Sequence, residues 1–227
     1  MSKAQERPLG ATMLARTEYR FGLVLFLLLA TFVLLMVGST SRWLRPVTVG
    51  LTGTTLVAAL FAADVSLRLR RVAVVVTVVA FVAELSLVGF GHSGEGTAGL
   101  INAALVALAP FAIARSVVRR RIIDTRTVLA ALCIFVLFGM LWAFVYTTLG
   151  AFSSEPFFAQ TTDATSADYL YFSFITQTTV GYGDLSAAGN PGRACAVLEA
   201  LVGQLYLVTI VALVVSRVQP RRTPDDA

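Results

Sequence analysis

The residues best suited to chemistry in this chain are Thr178-Thr179-Val180-Gly181-Tyr182-Gly183-Asp184. Their chemistry is that of the main chain. A ring of backbone carbonyl oxygens can replace the water around a cation when several copies of one loop meet on an axis. Pointing the carbonyls the same way requires alternating backbone conformations, which L-residues resist. Glycine reaches positive φ without a Cβ penalty, and Gly181 and Gly183 stand at alternate positions. Val180 and Tyr182 then point outward and pack against the surround. The Thr179 hydroxyl adds an oxygen at the inner mouth. The competing reading is a Gly-Tyr-Gly surface turn, and the flanking residues argue against it.

Ahead of the loop runs Ala167–Gln177, mostly apolar and aromatic. It is too short for a bilayer, which takes about 20 helical residues, and reads as a re-entrant pore helix. Asp168 lies at its start, where a carboxylate suits the helix dipole. The other end aims partial negative charge at a central cavity where a cation waits. After the loop come Gly189-Asn190-Pro191, read as a turn, and an apolar span from Ala194 to Ser216.

The rest of the chain must hold these parts in a membrane. It has 227 residues, is 57% hydrophobic and has a mean hydropathy of +0.79, which implies an all-α polytopic membrane protein. Beyond the span above, five more read as Phe21–Val37, Val47–Ala63, Val72–Phe90, Ala98–Val118 with a kink at Pro110, and Val128–Leu149. Cys133 and Cys195 fall inside spans and read as packing residues. The first apolar run follows a basic segment and lacks a cleavage site, so a retained helix is expected.

Six spans put both termini on one side. Fifteen of the 18 Lys and Arg residues lie there: Lys3, Arg7, Arg16, Arg20, Arg68, Arg70, Arg71, Arg115, Arg119, Arg120, Arg121, Arg126, Arg217, Arg221 and Arg222. Arg42, Arg45 and Arg193 remain opposite. The positive-inside rule makes the termini cytoplasmic and the cell membrane the location. These charges mark topology rather than nucleic-acid binding. The loop then opens outward beside Glu155, Asp163, Asp168 and Asp184, carboxylates that raise the local cation concentration.

The order span, pore helix, TTVGYGD, span resembles the pore module of the potassium channel superfamily in its prokaryotic two-helix form. The resemblance covers about Val128 to Arg217. Glu199-Ala200-Leu201-Val202-Gly203-Gln204-Leu205-Tyr206 is similar to inner helices of bacterial members. It implies a homotetramer in the bilayer, passing K+ as permeant ion with no cofactor and no small-molecule substrate. Thr179, Val180, Gly181 and Tyr182 would supply the carbonyl rings, with Gly183 closing the outer end. Thr178, Tyr171 and Asp184 would support the filter, with a Tyr171 hydroxyl to Asp184 contact where relatives often have tryptophan. Gly203 would be a gating hinge, and a close-packing glycine is the other reading. Gln177 departs from the Leu or Met of many relatives and puts an amide behind the filter.

The implied domains are a cytoplasmic segment 1–20, a four-helix sensor-like domain 21–126, a pore domain 127–217 and a tail 218–227. Six spans resemble voltage-gated channels, whose fourth helix carries arginine at every third position. Here the fourth span holds only Arg115, and Arg119, Arg120 and Arg121 break that period. Phe61 and Asp64 resemble the aromatic-plus-acid pair of a sensor, so Asp64 is expected to pair with Arg115 or Arg119. Glu84 is an acid inside a span, and such acids are functional suspects. His92 reads as a solvated loop histidine. The expectation is a potassium-selective channel with weak or no voltage dependence, ahead of a voltage-gated channel. A potassium-uptake transporter subunit would need four such repeats with single-glycine filters. No nucleophile motif, histidine cluster or phosphate loop suggests an enzyme. The short tail leads to the expectation of no appended ligand-binding domain.

Overall fold

The structure is a computed structural model that describes residues 9–38, 44–89, 95–118 and 125–217. Lys3, Arg7, Arg42, His92, Arg119, Arg120, Arg121, Arg221, Arg222 and the expected tail 218–227 lie outside the described residues. Seven helices and no strand occur among the described residues. They are α1 (Leu9–Val37), α2 (Leu44–Ala62), α3 (Leu67–Gly89), α4 (Glu95–Val118), α5 (Thr125–Phe152), α6 (Ser166–Gln177) and α7 (Asn190–Arg217). All but α6 are long and apolar enough to cross a membrane. The chain is an all-α, multi-pass membrane protein.

Element ends depart from the sequence reading where local chemistry outlasts the apolar run. α1 starts well before Phe21 because Leu9–Arg20 is rich in Ala, Leu, Met, Arg and Glu, all good helix formers. Asn190 and Pro191, expected in a turn, belong to the first turn of α7. Proline is at home there, since its missing N–H would have had no helical partner. α4 runs through Pro110 to Val118 as one helix, packed on α2 and α5.

The core ignores the boundary expected near residue 126. Leu28 of α1, Leu56 of α2, Leu105 and Ile113 of α4, Leu137 and Met140 of α5 and Leu170 of α6 form one buried cluster. Phe32 of α1 also meets Phe174 of α6 edge-on, with ring centroids 5.0 Å apart. α1 therefore buttresses α6 within the same chain. α3 stands apart, packing mainly on α2. Its Val72, Val75, Val79 and Val82 are exposed, an arrangement suited to lipid rather than water.

Small residues set the helix approach, as is usual between membrane helices. A Cβ at Gly53 would lie 2.1 Å from Thr77 Cγ2, and one at Gly99 would lie 2.8 Å from the Thr148 hydroxyl. Gly53→Ala is expected to push α3 off α2 and destabilise the protein by about 1–3 kcal/mol, the usual cost of overpacking. Adding Thr77→Ala should recover part of that loss. Thermal unfolding in detergent checks both, and an unchanged midpoint for Gly53→Ala would contradict the packing described.

Candidate functional site

α6 is fixed at its start by side-chain capping. Thr165 has extended backbone (φ −97°, ψ 166°), and its hydroxyl accepts from the Asp168 amide. The Asp168 carboxylate accepts in return from the Thr165 amide at 2.7 Å. Such a reciprocal cap satisfies two amides that a helix start leaves open, and an N-cap is worth about 1 kcal/mol. Asp168 was expected here; Thr165, its partner, was not singled out. At the other end the amide and hydroxyl of Thr178 both donate to the Phe174 carbonyl, at 3.0 and 2.6 Å.

The next residues turn back against that helix end. The Thr179 amide donates to the Thr176 carbonyl at 2.9 Å, and the Val180 and Gly181 amides share the Ile175 carbonyl at 2.9 and 3.1 Å. These bonds satisfy carbonyls that a helix terminus leaves without partners. φ is then positive at every second residue: +59° at Thr179, +50° at Gly181 and +80° at Gly183. The glycines were expected to do this; Thr179 is an addition. A β-branched residue in that region is an outlier costing about 1–3 kcal/mol, so the surrounding bonds must hold it. Val180 and Tyr182 are 52% and 73% exposed. The packing expected around them is not supplied by their own chain.

Beyond the loop, Tyr171 donates its hydroxyl to Asp184 Oδ2 at 2.7 Å, the contact expected from sequence. Asp184 Oδ1 accepts from the Leu185 amide at 3.1 Å. The bond to Asp184 pushes the Tyr171 phenol up to about 12, so at ordinary pH the phenol keeps the proton that it donates. The segments that precede α6 and α7 are laced together: the Ala159 amide donates to the Ser186 carbonyl at 3.0 Å and the Ala188 amide to the Phe157 carbonyl at 2.9 Å. Beneath them Tyr146, Phe157, Phe158, Tyr169 and Phe172 form an aromatic cluster joining α5, the segment before α6 and α6 itself.

At the C-terminal end of α6 Gln177 is buried and donates from Nε2 to the Phe135 carbonyl of α5 at 2.9 Å. It lies between two glycines. A Cβ at Gly139 would come within 2.7 Å of Gln177 Oε1, and one at Gly203 within 2.5 Å of the Gln177 carbonyl. Gly203 is therefore a close-approach residue, and α7 is unbroken across it. Tyr206, a turn further on, donates to the Ala131 carbonyl of α5 at 2.7 Å.

A buried polar group to which the sequence reading gave no role is Glu199. It is fully buried on α7, accepts from the Tyr146 hydroxyl and touches the Ser173 hydroxyl. Its signal was available: it is the single acid within the last apolar span, as conspicuous as Glu84 in the third.

Residues 131–219 match the ion channel family. That segment is an ion channel domain. It takes in nearly all of α5, then α6, the 178–184 loop and α7. No curated protein and no solved structure matches the chain.

Outside the channel domain the expected sensor-like pair is not assembled. α2 ends at Ala62, so Asp64 falls in the turn toward α3, with φ +50°. There it pairs with Arg20 at 3.2 Å and Arg70 at 3.6 Å, not with Arg115. Arg70 also lies over the Phe61 ring, 4.7 Å from its centroid. Arg115 is exposed in the last turn of α4. Glu84 is fully buried, and neither of its carboxylate oxygens has a hydrogen-bond partner among the described residues.

Two outcomes are expected, one for stability and one for conduction. Gly203→Ala should lower the unfolding free energy by about 1–3 kcal/mol through the clash with Gln177. Gly22→Ala should be neutral or stabilising by up to about 1 kcal/mol, since a Cβ there meets nothing within 4 Å. Denaturant titration of the reconstituted protein separates them, and equal effects would contradict the close approach. Tyr171→Phe should shorten the time that single channels stay conducting, and unchanged dwell times would refute a bracing role for that contact.

Proposed function

We propose that this protein is a potassium-selective channel, conducting passively through a pore built by four copies of the chain in the cell membrane. The observation that carries the reading is the alternation of left-handed backbone at Thr179, Gly181 and Gly183 within the sequence TTVGYGD. In this reading the carbonyls of Thr179, Val180, Gly181 and Tyr182, with the Thr179 hydroxyl, replace the hydration shell of K+. Gly183 ends the column, and Thr178, Tyr171 and Asp184 hold it from behind. Four copies are supported by what one chain leaves uncovered: Val180, Tyr182 and the apolar Val197, Leu198, Leu201, Leu205 and Val208 of α7.

The arginine distribution supports cytoplasmic termini, with the filter entered from outside. Gating bends α7 at Gly203 in this reading, which requires Gln177 to move with it. Voltage dependence is weak. Each charge carried across 100 mV supplies about 2.3 kcal/mol, and Arg115 is the one arginine described within α4.

Planar-bilayer recording of purified protein under opposed potassium and sodium gradients tests the proposal. The current should reverse near the potassium equilibrium potential and change little in open probability with voltage. Reversal midway between the two ions' potentials would overturn the selectivity, and steep voltage-dependent opening would overturn the reading of α1 to α4.

A further inference from the structure

Glu199 is a buried acid that the conduction reading leaves unused, and its hydrogen bonds do not balance if it is ionised. The Ser173 hydroxyl on α6 lies 2.7 Å from the Gly139 carbonyl of α5 and 2.5 Å from Glu199 Oε1. A carbonyl and a carboxylate are both acceptors, and a serine hydroxyl has a single proton to give. With an ionised Glu199, one of these two close oxygen pairs has no proton between its members. The Tyr146 hydroxyl cannot supply it, because its proton is directed to the other carboxylate oxygen, Oε2. The count closes when Oε1 itself carries a proton and donates it to Ser173, which donates onward to Gly139.

The surroundings agree. Glu199 is fully buried, and neither ion pair among the described residues includes it. The titratable groups beside it, Tyr146 on α5 and Cys195 on α7, cannot carry a positive charge. A buried carboxylate without a cation is costly, and such a group takes up a proton instead.

We infer that Glu199 is a positioning residue held as the neutral acid. Its carboxyl group bonds the pore helix and the outer helix at once, through Ser173 and Tyr146. It acts on the ion path only through α6, whose C-terminal carbonyls hold Thr179, Val180 and Gly181. The inference rests on the channel reading for its consequence, but not for its protonation.

The test is infrared spectroscopy combined with conservative replacement in the reconstituted full chain. The spectrum of the wild type minus that of Glu199→Gln should contain the carbonyl stretch of a protonated carboxylic acid, persisting from mildly acid to mildly alkaline pH. Glutamine can reproduce the pattern, its amide N–H donating to Ser173 and its carbonyl accepting from Tyr146. Glu199→Gln should thus keep potassium currents within about twofold of wild type. Glu199→Ala, which leaves the Tyr146 and Ser173 hydroxyls without their partner, should reduce the potassium-over-sodium preference by about tenfold. Ser173→Ala covers the case in which Glu199→Ala does not assemble: it should shift the acid band rather than abolish it. Absence of the band, or a Glu199→Gln channel as impaired as Glu199→Ala, would overturn the inference. A wild type that does not select potassium would instead overturn the proposed function and leave the band in place.

Discussion

A backbone that turns left-handed at every second residue cannot hold itself. Between Thr179 and Gly183 it forms no regular ladder, buries no apolar side chain of its own and includes a threonine in a region that β-branched residues avoid. Every constraint on it comes from outside. The inner half hangs from the last turn of α6, where one carbonyl, that of Ile175, accepts two successive amides. The outer half is anchored through Asp184 to Tyr171 on the same helix. The geometry of the loop is therefore the geometry of α6, and the rest of the chain can be judged by how firmly it seats that helix.

The seating is polar where the core of a soluble protein would be apolar. Ser173 and Gln177, one turn apart on α6, reach carbonyls of Gly139 and Phe135, one turn apart on α5. Glu199 and Gly203 repeat the spacing on α7, one bonding across to α5 and α6 and the other letting Gln177 pass. Between membrane helices there is no hydrophobic gain in contact over lipid, so close approach and interhelical hydrogen bonds must supply the specificity. Apolar packing then works at longer range: α1 and α4 press on α5, α2 backs both of them, and Phe32 of α1 presses directly on Phe174.

How much of this was legible in the sequence follows from the range of each signal. The membrane spans and the short helix before TTVGYGD follow from local hydropathy and length, and all appear. The positive φ of Gly181 and Gly183 follows from residue type alone. The Tyr171 bond to Asp184 came through resemblance and is present. What local pattern could not carry was three-dimensional register. Asp64 was expected to pair with Arg115 or Arg119, and the end of α2 at Ala62 instead puts it in a turn beside Arg20 and Arg70. Gly203 was marked by resemblance as a hinge with close packing as the other reading, and the neighbour that approaches it across space, Gln177, could not be read from the sequence. Glu199 stands out as the single acid of its span, but its tie to Ser173, 26 residues away, exists only when α6 lies on α7. Thr179 took its left-handed backbone from the bonds around it, against its own preference.

The central claim is that main-chain oxygens from copies of residues 179–182 take the place of water around a dehydrated cation. The most direct measurement is to exchange potassium for thallium in the purified channel and locate the metal by anomalous scattering. The account predicts a column of thallium on the axis shared by four chains, at the levels of the carbonyls from Thr179 to Tyr182. A loop free of thallium, or chains that do not meet around it, would contradict the account.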